Sequence, residues 1–168
     1  MIPSNSQIDA MFAKLNAHFG VTATWRRRNF AESLMTQDYL GGEFTRGGKT
    51  FLGSRQVVLG TGCTESEVLH EYGHIVQSKA YGWRYRGQHK ELFRQSLLEV
   101  ATFYYDGDPT KYDWDDEYPG IVRWAFSKGL TPYSTTKLWR TENLPPEIQE
   151  KVDWEKAHIN DLGEGPWE

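Results

Sequence analysis

The stretch Thr64–Gln77, TESEVLHEYGHIVQ, decides how this chain is read. Two of its five histidines, His70 and His74, stand four residues apart, and Glu71 follows the first directly. Thr64 with Glu67 three positions on is a capping-box pattern, which marks the start of a helix. Leu69, Tyr72 and Val76 then fall on one face. Gly73 costs about 1 kcal/mol against alanine in a helix interior, so its presence suggests that another element approaches closely there. On a helix, residues four apart share a face, so both imidazoles can point at one cation. Imidazole suits Zn²⁺. Glu71 is rotated about 100° from His70, which puts its carboxylate beside a metal rather than on it, in the place of a general base. This is the HExxH arrangement of zinc metalloproteases.

A catalytic zinc usually takes three protein ligands. His89, Glu91 and Glu99 are the candidates for the third, whereas His18 and His158 lie far off in sequence. A second helix is expected to begin near Gln88, with an apolar stripe of Phe93, Leu97, Val100, Ala101 and Tyr104. On that helix His89 shares the inward face. Glu91 points to solvent, and Glu99 lies further along the axis as the fallback. Helical geometry therefore favours His89.

Outward from the motif, Asn5–Gly20 reads as a first helix, with Ile8, Met11, Phe12 and Leu15 at helical spacing and Gly20 placed to end it. Val21, Ala23 and Trp25 alternate as in a strand. Gly47-Gly48 reads as a hairpin turn, and Val57–Leu59 as the last strand before the motif. That strand, if exposed, could pair with an extended substrate. Tyr81–Gly87 is expected to be a loop. After Tyr105, DGDPTKYDWDDEY carries six acidic residues and one lysine and reads as a solvated loop. Short helices are expected over GIVRWAFSKG and after Pro145-Pro146.

The 168 residues suffice for one domain with a real core. The expected architecture is a single α+β domain over 1–168, with a catalytic core at about 20–105 and an acidic, partly helical extension at about 106–168. Hydrophobic residues at 38% and charged residues at 25% indicate a globular chain rather than a disordered one. A net charge of −4 argues against broad, charge-driven nucleic-acid binding. Two local stretches, Thr24–Phe30 and Lys79–Lys90, nevertheless interleave basic and aromatic residues in the manner of single-stranded DNA sites. No apolar run approaches membrane-spanning length. A single cysteine, Cys63, and a start unlike a secretion signal favour a reducing, cytoplasmic setting. Cys63 reads as a small half-buried residue rather than an activated thiol.

HEYGH, fourteen residues, then HKELF resembles the SprT-like metalloproteases, the family that includes Spartan. The likeness covers about Val57 to Leu98. It implies a zincin-like fold with a small sheet, an active-site helix and a second helix supplying the third ligand. It further implies Zn²⁺ held by His70, His74 and His89, with Glu71 as general base, Phe93 as a buried aromatic, and protein or peptide substrates. Tyr81, Tyr85, Tyr104 and Tyr105 are available as a second oxyanion donor. Members of the family often carry a C-terminal zinc ribbon or DNA-binding segments. One cysteine permits no such ribbon, and the acidic half would give a different target or interaction surface. Two other functions compete with the peptidase: a binding module that keeps a structural zinc, and a protease acting on DNA-bound proteins.

Overall fold

A computed structural model describes residues 1–29, 47–82, 89–137 and 146–157. Helix α1 spans Asn5–Phe19, closed by a Ser4/Gln7 capping box at one end and by left-handed Gly20 at the other. Strand β1 is Thr24–Arg27, β2 is Gly48–Phe51 and β3 is Gln56–Leu59. Helix α2 spans Glu65–Tyr81 and α3 spans Glu91–Tyr104. Two short 3-10 turns follow, Pro109–Lys111 and Trp114–Asp116, and then α4, Pro119–Ser127, and α5, Pro146–Ala157. The architecture is mixed α+β with a small three-stranded sheet. None of the described helices is long and apolar enough to cross a membrane.

The sheet has the order β1-β3-β2, with β1 parallel and β2 antiparallel to β3. β3 is therefore the central strand, and Val57, Val58 and Leu59 are all but inaccessible. A continuous apolar run of this kind belongs to a strand covered on both faces. This corrects the expectation of an exposed pairing strand there: among the described residues the edges are β1 and β2. The hairpin turn is also displaced. The chain reverses at Leu52–Arg55, where Arg55 takes a φ of +52°. Gly48 instead opens β2, because a Cβ there would lie 2.9 Å from both Glu71 Cγ and the Val58 carbonyl oxygen.

The core joins the apolar stripe of α1 to the buried faces of β3, α2 and α3. Tyr72 on α2 packs edge-on against Phe12, and its hydroxyl donates to Asn16 Oδ1 at 2.8 Å. Asn16 in turn caps the approach to β1, donating to the Ala23 carbonyl and accepting from the Ala23 amide. Helices α2 and α3 meet at Gly73. A Cβ on that residue would lie 3.2 Å from Phe93 Cε2 and 3.6 Å from Leu97 Cα, so the glycine is what lets α3 come this close.

The acidic stretch after α3 departs from its expectation. Tyr112 and Trp114 are buried core residues, and Glu117 is only 8% exposed. Its aromatic residues pull the segment inward against the solvation of its aspartates. Tyr112 packs on Trp114 at 4.7 Å, and the Trp114 indole donates to the Pro109 carbonyl. Ile121, Val122 and Ala125 of α4 are buried beyond it.

Candidate metal centre

Helix α2 is set by its capping box: Thr64 Oγ1 accepts from the Glu67 amide, and Glu67 Oε2 accepts from the Thr64 amide. His70 and His74 then project from one face, their ring centroids 5.2 Å apart. His89 reaches them from outside α3. The helix begins at Glu91 with Lys90 as its N-cap, so His89 stands two residues ahead of it rather than on it. Its φ is +38°. A non-glycine residue in that region is strained by ~1–2 kcal/mol, and such strain persists only where the surroundings fix it. Here the ring of His89 stacks on Tyr118 at 4.7 Å and meets Phe93 edge-on at 4.8 Å.

The three rings converge through one nitrogen each. His89 Nε2 lies 3.0 Å from His70 Nε2 and 3.1 Å from His74 Nε2. His70 and His89 are buried, and His74 is half-buried. Phe93 braces all three rings, at 4.2 Å from His74 and 4.9 Å from His70 besides its contact with His89. This cluster can hold a metal ion. The alternative third ligands stay outside it, since Glu91 and Glu99 are exposed on α3. His18 stacks on Phe103 and is not part of the cluster, and His158 lies outside the described residues.

Glu71 is 8% exposed and faces β2. Thr50 Oγ1 lies 2.6 Å from Glu71 Oε2 and 3.0 Å from the Glu71 carbonyl oxygen. Burial pushes the carboxyl above the usual range, against the opposing charge of His70 and the Thr50 hydrogen bond.

Sequence reasoning missed Glu117. Its Oε1 and Oε2 lie 2.9 and 3.1 Å from His70 Nδ1. Tyr112 Oη donates to Glu117 Oε1. Burial disfavours a charge on His70, but the adjacent Glu117 carboxylate outweighs it and pushes the pKa up to about 9. Burial, together with the charge of His70, holds His74 well below 6.5, the side on which an imidazole is neutral and free to ligate. The only sequence signal for Glu117 was the presence of Tyr112, Trp114 and Tyr118 within a run of acids.

Other candidates have different employment. Tyr104 and Tyr105 both donate to the Glu65 carboxylate at the start of α2. Tyr81 is exposed at the far end of that helix, and Tyr85 lies outside the described residues. Cys63 is fully buried, and its burial pushes the thiol up, the opposite of activation. In the first basic-aromatic stretch, the Trp25 indole donates to Asp9, and Arg27 lies over the Trp25 ring while binding Asn5 and the Gly60 carbonyl. Phe30 at its end and residues 83–88 of the second stretch lie outside the described residues.

Fold and site together define a mixed α+β protein with a histidine cluster able to take a cation, flanked by two buried glutamates. No family model, curated protein or solved structure matches the chain.

Proposed function

We propose that the protein is a zinc-dependent endopeptidase of SprT-like type, with a zincin-like arrangement of its active-site helix. The observation that carries this reading is the convergence of the His70, His74 and His89 Nε2 atoms beside a carboxylate that does not join them. The donor set fits the ion. Tetrahedral zinc with Zn–N distances of ~2.0–2.1 Å needs ligand nitrogens roughly 3.3 Å apart, and the two separations of 3.0 and 3.1 Å are close to that. A set of three histidine nitrogens is the donor pattern of catalytic rather than structural zinc.

His70, His74 and His89 would hold the ion, which when bound supplies Lewis acidity toward water and a peptide carbonyl. Glu71 does the proton work. Thr50 occupies Oε2, so Oε1 is the oxygen left to take a proton from the attacking water and hand it to the leaving amine. Burial raises its carboxyl, the direction that helps a group return a proton to the leaving amine. Phe93 keeps the three rings from turning. Strand β2, an edge among the described residues, offers main-chain groups to an extended peptide next to Glu71.

The test is metal analysis of the purified protein, followed by casein cleavage with and without chelator and single-stranded DNA. Glu71→Gln should keep the metal and lose cleavage by roughly 10²–10⁴-fold. A wild-type protein that binds zinc and cuts nothing would be a structural-zinc module instead. Cleavage that requires DNA would direct the activity to DNA-bound proteins.

A further inference from the structure

We infer that Glu117 is a positioning residue of the metal centre, holding His70 in the tautomer that ligates and balancing the charge of the cation. The inference rests on the metal-binding half of the proposed function and is independent of whether peptide bonds are cut.

A ring nitrogen that donates to a carboxylate keeps its proton, and the opposite nitrogen then presents a lone pair. Both oxygens of Glu117 face Nδ1 of His70, while Nε2 of the same ring faces His89. The carboxylate thus selects which nitrogen is turned into the cluster. His74 and His89 receive no such contact from Glu117.

Charge points the same way. A carboxylate taken out of water is costly unless it meets a cation. Glu117 is 8% exposed, and its only ion pair among the described residues is with His70. The three histidines bring no negative charge to a divalent cation, so a buried carboxylate one hydrogen bond away supplies part of what they lack.

Glu117 is itself fixed. Tyr112 donates to its Oε1, and the same hydroxyl lies 3.0 Å from the Ser66 carbonyl oxygen in the first turn of α2. The Ser66 hydroxyl accepts from the Asp113 amide. The acidic segment is thereby tied to the helix that carries His70, and the next residue, Tyr118, stacks on His89. A segment that reads as solvated loop supports two of the three rings.

The experiment compares wild type, Glu117→Gln, Tyr112→Phe and His74→Ala. Zn²⁺ affinity is measured by competition with a chromophoric chelator, and thermal midpoints are measured after metal removal. Long-range ¹H–¹⁵N spectra report the histidine tautomers. Glu117→Gln should bind zinc about 10- to 100-fold more weakly, and its metal-free midpoint should fall as well, because the buried pair with His70 is lost. Tyr112→Phe should show a smaller loss in the same direction. Zinc-loaded wild type should hold His70 as Nδ1–H. Wild-type affinity in Glu117→Gln, or an Nε2–H His70 in the loaded protein, would overturn the inference. Should Glu117→Gln fail to fold, wild-type affinity in Tyr112→Phe would overturn it equally. If His74→Ala binds zinc as wild type does, the metal-centre reading itself fails and this inference falls with it. If only the Glu117 and Tyr112 variants match wild type, this inference alone falls.

Discussion

Gly48 and Glu71 are fitted to each other across β2 and α2: a Cβ on the glycine would lie 2.9 Å from Glu71 Cγ, with the Val58 carbonyl oxygen equally close behind it. Neither obstacle is the tip of a flexible chain. Gly48→Ala must therefore displace the strand or the glutamate. A misplacement of about 1 Å at a catalytic group costs roughly 10²-fold in rate. Casein hydrolysis should fall by about that factor in Gly48→Ala, while zinc affinity stays close to wild type. A parallel loss of zinc would show that the damage is general rather than confined to Glu71.

Thr50 places the same carboxylate from the side, through its hydrogen bond to Oε2. Thr50→Val keeps the shape and removes the donor. The expected result is a drop in kcat of roughly tenfold, in the range of a lost orienting hydrogen bond to a charged group, with KM and metal content nearly unchanged. Steady-state kinetics on a defined peptide would show it.

Phe93 couples the helix contact to the cluster. It is fully buried, lies against Gly73, and touches the rings of His70, His74 and His89. Gly73→Ala gains about 1 kcal/mol of helix propensity, yet pushes a methyl group to 3.2 Å from Phe93 Cε2. The histidine rings are among the neighbours that must then shift. Zinc binding should weaken in this variant more than the metal-free thermal midpoint falls. Phe93→Ala should destabilise the protein outright, by about 3–5 kcal/mol, as measured by urea unfolding.

Asp113 gives the fold a pH dependence of its own. Burial pushes its carboxyl up to about 7, helped by the hydrogen bond its protonated form donates to Asp115 and by the charge of Asp115, with Lys137 pulling the other way. The folded state thus holds a proton that the unfolded chain, with a carboxyl near 3.8, releases. The stability from this proton is full below the unfolded value and is lost as the pH rises through the folded one. Thermal midpoints of metal-free wild type should decline more steeply than those of Asp113→Asn between about pH 4 and 7. Equal slopes would remove Asp113 as the source.

The motif helix was legible because its signals are local: a capping box, a 3.6-residue period and two histidines one turn apart all lie within Thr64–Gln77. The contact at Gly73 was legible for the same reason, as a glycine where helix formation alone would favour alanine. His89 was chosen as a residue on the inward face of α3, whereas it stands ahead of that helix with a left-handed backbone. Lys90 makes no side-chain cap hydrogen bond, so nothing local marks where α3 starts. Gly48 was misread because a glycine pair looks the same whether it serves a turn or makes room for a side chain from another element. Glu117 lies 47 residues from His70 in a run of acids, where composition points outward. Only the burial of Tyr112 and Trp114 turns it inward, and that is a property of the packed core.

The central claim is that His70, His74 and His89 act as one ligand set, and the most direct measurement is the zinc stoichiometry and affinity of wild type beside His89→Ala. Wild type should bind one Zn²⁺ per chain, and removal of His89 should lower the affinity by about two orders of magnitude or more, since a side chain bonded to the ion counts for more than the 10- to 100-fold of one that only touches a ligand. Equal affinity in the two proteins, or a wild type that takes up no zinc, would contradict it.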